Sequence, residues 1–98
     1  MIDLSLFHTP EEAQQEVAKR CRQRRKELRY TQAELARRSG MSLGSYKRFE
    51  QTGEIAFSSL CRVAHVLDSL EDIEALFTKK KYTSIQEVID ARRRHRKS

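Results

Sequence analysis

Glycine, proline and cysteine are all scarce in this 98-residue chain: Gly40, Gly44 and Gly53, Pro10, and Cys21 and Cys61. With so few breakers, most of the sequence is helix-forming material, which favours an all-helical domain over a sheet. The two cysteines lie far apart and lack metal-ligand spacing. Each falls in an apolar helical pattern, so both read as buried small hydrophobes in a reducing compartment rather than as a disulfide. No apolar run approaches the ~20 residues needed to span a bilayer, so no membrane association is expected. The opening MIDLSLFHTP lacks the basic region and long apolar stretch of a signal peptide. A soluble, cytoplasmic protein is the expectation. The three histidines (His8, His65, His95) are scattered, and no metal spacing, phosphate loop or nucleophile–base signature stands out. The chain therefore reads as neither an enzyme nor a cofactor carrier. With only seven aromatics (three Tyr, four Phe), several at core positions, it makes a poor RNA reader, because such proteins display stacking platforms.

Positive charge, by contrast, is abundant and uneven. The formal net charge is +6 and the pI about 9.7. Nine basic residues (19, 20, 22, 24, 25, 26, 29, 37 and 38) stand against Glu27 and Glu34 between Lys19 and Arg38. A second run, Arg92-Arg93-Arg94-His95-Arg96-Lys97, closes the sequence. Clustered cations suit a polyanion such as nucleic acid, and equally a well-solvated surface.

Residues 1–8 alternate in polarity and suit a short extended arm. Thr9-Pro10-Glu11-Glu12 then starts a helix, with Thr9 as N-cap, Pro10 at the first helical position and Glu12 three after the cap. That helix is predicted over 10–28, with Val17, Cys21 and Leu28 on its apolar face and Arg25 on the same side. Thr31-Gln32-Ala33-Glu34 is a second capping box, opening a helix with Leu35 and Ala36 inward. Gly40 suits a left-handed helix end, and Ser42 caps a third helix after one residue. Leu60, Val63, Ala64 and Leu67 form an i, i+3, i+4, i+7 stripe for a fourth. Ser69 is read as the cap of a fifth helix, with Leu70, Ile73, Leu76 and Phe77 inward and Glu71 and Asp72 at its positive end. Residues 79–98 read as a basic segment with a short helix from Ser84, where Glu87 completes a capping box. The domain proper is placed at 9–78.

At 100° per residue the third helix divides cleanly. Tyr46 and Phe49 share one side, flanked by Ser42 and Glu50. Gly44, Lys47, Arg48 and Gln51 share the other, which is cationic and carries an amide. A helix ending at Gly40, small Ala36 to permit a close crossing, and a capped second helix are the requirements of a helix-turn-helix.

Residues 17–67 resemble the phage repressor and Cro-like helix-turn-helix family, often called the Xre family. The similarity is carried by Arg25-Lys26, Thr31-Gln-Ala-Glu-Leu-Ala36, Gly40, Ser42, Glu50 and Leu60-Cys-Arg-Val-Ala-His-Val-Leu67. It implies an all-α, five-helix repressor-like DNA-binding domain with the N-terminal arm and basic tail as additions. The implied function is sequence-specific binding to a double-stranded DNA operator, as a homodimer. In the family a glutamine matching Gln32 holds a phosphate, a place on α-helical dipole grounds suited to an anion. Lys47 and Arg48 are the candidates for base edges or nearby phosphates, since arginine suits guanine O6 and N7, with Ser42, Gly44, Ser45 and Gln51 around them, and Thr52 resembles part of the family's phosphate-clamping loop. Gly44 stands where several relatives carry a base-reading side chain, and its place on the outer face suggests close backbone approach to the groove. Arg25 and Glu50 match a partly buried ion pair joining the first and third helices. Ser39 departs from a position that is often apolar, and Tyr46 from a more usual Ile or Leu. Lys47–Ile55 is similar to HipB-like antitoxin repressors encoded beside a HipA-type kinase toxin. Two alternatives stay open: a module acting chiefly by binding a toxin, and a stand-alone regulator without one. The arm at 2–7 and the acidic residues Asp68, Glu71, Asp72 and Glu74 suit such a protein partner.

Overall fold

The computed structural model describes residues 9–79 together with 89, 90, 92 and 93. Residues 9–79 form five helices and no strand: α1 (Pro10–Glu27), α2 (Gln32–Arg38), α3 (Leu43–Thr52), α4 (Phe57–Val66) and α5 (Leu70–Glu74); residues 89, 90, 92 and 93 are helical as well. None is long and apolar enough to cross a membrane. The arm at 1–8 and most of the helix expected from Ser84 lie outside the described residues.

Three helix starts follow from their caps. The Thr9 hydroxyl accepts from the Glu12 N–H at 3.1 Å, and the Ser42 hydroxyl from the Ser45 N–H at 3.1 Å. At Thr31 the capping box is complete: its hydroxyl accepts from the Glu34 N–H, and the Glu34 carboxylate accepts from the Thr31 N–H. Three helix ends share one device. After α2, Gly40 at φ +70° donates to the Arg37 carbonyl and Met41 donates to that of Ala36, a Schellman motif. The same pair of bonds closes α1 through Arg29 (φ +62°) and α4 through Asp68 (φ +54°). Neither of those turns has a glycine to announce it.

Ala18, Leu35, Ala36, Tyr46, Phe49, Val63 and Leu67 form the core. The rings of Tyr46 and Phe49 meet edge-on with centroids 6.0 Å apart. Gly53, at φ +83°, brings the end of α3 against α1; a Cβ there would lie 2.7 Å from the backbone carbonyl carbon of Gln14. Only a residue without a side chain permits that approach.

Several expectations need correction. The buried residue of α1 beside Arg25 is Ala18, while Val17 and Leu28 are exposed. Cys21 and Cys61 are free thiols, as expected, but only half-buried. Burial and the nearby Glu50 charge push the Cys21 thiol up to about 11, so it stays protonated and unreactive at neutral pH. Ser69 makes no capping bond to α5. Its buried hydroxyl instead accepts from Arg24 Nη1 at 2.9 Å and donates to the Leu67 carbonyl at 3.0 Å, tying α1 to the α4–α5 junction. Leu76 and Phe77, expected inside, are exposed, because α5 ends after five residues and its helical phase stops at Glu74.

Candidate nucleic-acid interface

A buried polar network fixes α3 from behind. Arg25 Nε donates to Glu50 Oε2 at 2.8 Å and Nη2 to Oε1 at 3.3 Å, a two-pronged pair. Its remaining nitrogen, Nη1, donates to the Tyr30 carbonyl at 2.9 Å, just beyond the end of α1. The Gln32 side-chain amide donates to Glu50 Oε1 at 3.0 Å. Both charged side chains are almost fully covered, at 10% and 4% exposure. Burial alone would raise the Glu50 carboxyl; the Arg25 guanidinium, with the Gln32 amide alongside, overrides it and holds the group below its ordinary range. The expected Arg25–Glu50 pair is thus formed, and it links α1, the α1–α2 turn, the start of α2 and α3. Gln32 serves this network with its side chain. Its position in the first turn of α2 still leaves backbone N–H groups facing outward.

The turn between α2 and α3 is braced separately. Arg62 Nε, from α4, donates to the Ser39 carbonyl at 2.9 Å. Among the described residues the Ser39 hydroxyl is buried without a hydrogen-bond partner, as is that of Tyr46. These are the two positions where the sequence departs from the apolar pattern, and each carries the cost of a dehydrated hydroxyl.

On the opposite side of α3, Leu43, Gly44, Ser45, Lys47, Arg48 and Gln51 are all exposed. A Cβ built at Gly44 meets nothing within 4 Å, so packing inside the protein does not require glycine there. Ser45 is partly committed: its hydroxyl accepts from that of Ser42 at 2.8 Å. Arg48 is paired with Glu54 at 2.6 Å across two exposed side chains. Thr52 holds that arrangement, its hydroxyl donating to the Arg48 carbonyl at 2.8 Å and accepting from the Glu54 N–H at 3.1 Å. The Thr52 hydroxyl is therefore occupied within the chain rather than waiting for a phosphate. Lys47 and Gln51 make no hydrogen bond or ion pair with other described residues.

Glu54 and Arg62 were not singled out from the sequence. Their partners lie six residues back on α3 and 23 residues back in the α2–α3 turn, outside any local pattern. The N-terminus of α4 is a further feature without a sequence signal: its N-cap is Ala56, and no side chain caps the first-turn N–H groups. Uncapped, positively polarised donors of this kind suit an anion. Around this face, Arg38 stacks over the Tyr30 ring at 5.0 Å, keeping one cation of the basic cluster on the outer surface of α2. Among the described residues, no group of His, Cys, Asp or Glu is arranged to hold a metal ion.

Comparison with known proteins agrees with this geometry. No curated protein and no solved structure matches the chain. A family model described as helix-turn-helix matches residues 22–73, from within α1 into α5 and more than half of the chain. The chain belongs to this Xre/Cro-like helix-turn-helix family of DNA-binding regulators.

Proposed function

We propose that the protein is a sequence-specific repressor that places α3 in the major groove of a two-fold symmetric operator, acting as a homodimer in the cytoplasm. The observation that carries this reading is the two-sidedness of α3. Its inner side is locked by Tyr46, Phe49 and the Glu50 network, while its outer side is cationic and unpacked. A rigid support with a free, positively charged face is what base recognition needs. Arg48 and Lys47 supply the side-chain contacts, with Gln51 and Ser45 beside them. Ser42 and the first turns of α2 and α4 present backbone donors to phosphates. Gly44 lets the backbone of α3 approach the groove floor.

A homodimer follows from the small reach of one recognition helix, which reads only a few base pairs. The narrower reading is that the repressor is the autoregulating antitoxin of a HipA-type kinase toxin. It is supported by the sequence of the Lys47–Ile55 segment.

The test is a titration of duplex from upstream of the gene against a shuffled duplex of equal length, using the native chain and Gly44→Ala. The native chain should prefer the upstream duplex at least tenfold. Gly44→Ala should gain up to about 1 kcal/mol in stability, because alanine is the better helix residue and meets no clash. It should nevertheless bind the upstream duplex more weakly. Equal binding to both duplexes would defeat the repressor reading, and unchanged binding by Gly44→Ala would defeat the close approach at α3.

A further inference from the structure

The outer face of α3 carries one group that attraction to DNA does not explain. A surface built for a polyanion gains from each cation and loses from each acid beside it. Yet Glu54 stands just past the end of α3 with its carboxylate 2.6 Å from Arg48 Nη2. Packing does not require it there. Its side chain is 59% exposed, and among the described residues Arg48 is the side chain's one hydrogen-bond or ion-pair partner. The backbone nevertheless keeps the acid in place. The Thr52 hydroxyl donates to the Arg48 carbonyl and accepts from the Glu54 N–H, so one side chain ties the two members of the pair together. Gly53, at φ +83°, makes the turn between them. Three long polar side chains share this face. Lys47 and Gln51 make no bond to other described residues, and Arg48 is held.

We propose that Glu54 is a positioning residue for DNA recognition: its carboxylate stands in for a phosphate and keeps Arg48 off the DNA backbone unless a guanine is in reach. The inference rests on the repressor reading above and adds the condition under which Arg48 engages. Three groups compete for one guanidinium. An exposed carboxylate and a backbone phosphate are rivals of the same kind, each a charged oxygen in water, and such contacts contribute little. Glu54 has the advantage of being tethered six residues away in the same chain, so its effective concentration is high. Guanine differs in kind. Its O6 and N7 offer two acceptors at the fixed spacing of the guanidinium fork. Exchanging Glu54 for a phosphate therefore gains little, and exchanging it for guanine gains much. On random duplex Arg48 stays with Glu54, and the chain makes one phosphate contact fewer than its cations allow. On the operator the pair opens and Arg48 takes the base.

Salt titrations of random duplex, followed by fluorescence anisotropy, test the proposal. The full chain is compared with Glu54→Gln, Arg48→Ala and the double variant, and with Glu71→Gln on α5 as a control for net charge. Glu54→Gln should bind random duplex about two- to fivefold more tightly, the scale of the exposed pair it releases. Its slope of log K against log salt should steepen by about one phosphate contact. On the upstream duplex the slope should stay as it is, because Arg48 meets guanine in both chains. Without Arg48, Glu54→Gln should leave the random-duplex slope nearly unchanged, so the two substitutions are not additive. Glu71→Gln should move neither affinity nor slope. Melting should be the same for the native chain and Glu54→Gln, since both members of the pair are exposed. An unchanged slope in Glu54→Gln would overturn the role, as would an equal change without Arg48 or in Glu71→Gln. Failure of the repressor reading looks different: the native chain would hold upstream and random duplex alike, with the effect of Glu54 still readable on either.

Discussion

Glu50→Ala should cost about 3–5 kcal/mol of folding stability, the scale for breaking a buried ion pair. For a small domain with 5–15 kcal/mol in total, that is a large share. The loss comes from Arg25 more than from the missing attraction. With Glu50 gone, a guanidinium at 10% side-chain exposure keeps its charge and loses two of its hydrogen bonds. Gln32 loses its acceptor as well. Replacing both partners, as Arg25→Met with Glu50→Leu, removes the stranded charge and should be much milder than either single change. A double-mutant cycle by urea unfolding checks the difference; additive losses would mean the pair is not coupled. The effect should also depend on pH. The Glu50 carboxyl is held below its ordinary value in the folded chain, so its contribution is complete above the unfolded glutamate value of about 4.3. It disappears as pH falls through the folded value. The gap in stability between the native chain and Glu50→Gln should therefore be widest at neutral pH and narrow in acid. A gap that widened in acid would contradict the assignment.

Arg48→Ala should lower affinity for the matched operator by about 1–3 kcal/mol, or roughly 5- to 150-fold, the value of a bidentate guanine contact. The Arg48–Glu54 pair does not prevent this contact. It is exposed at both ends, and such pairs contribute about 0–1 kcal/mol, less than the base contact that replaces them. Stability should change little, because Arg48 is on the surface. Lys47→Ala should behave differently, weakening matched and random duplexes alike and reducing the slope of log K against log salt by about one phosphate contact. Fluorescence anisotropy at several salt concentrations separates the two. Equal losses on matched and random DNA for Arg48→Ala would move it from the base edges to the backbone.

Much of this architecture could be read before the structure, because the signals are local. Thr9, Thr31 and Ser42 each accept from an N–H three residues downstream, and the Leu60–Leu67 stripe repeats along one helix. Arg25 and Glu50 were paired by their faces and by resemblance, and the geometry agrees. What escaped reading depends on distance through space or on lost helical phase. Arg29 and Asp68 take left-handed turns that sequence associates with glycine. Gln32 faces Glu50 only because α2 and α3 cross closely, and Arg62 reaches from α4 to the Ser39 carbonyl in the α2–α3 turn. Leu76 and Phe77 kept their helical spacing on paper, but the helix ends at Glu74 and turns Phe77 outward.

The central claim is that the outer face of α3 reads DNA sequence. Selection from a random duplex library by the native chain, alongside the Lys47→Ala/Arg48→Ala variant, addresses it most directly. The account predicts enrichment of one two-fold symmetric motif by the native chain and its loss in the variant. A native chain that enriches nothing over the input library, or a variant that recovers the same motif, would contradict it.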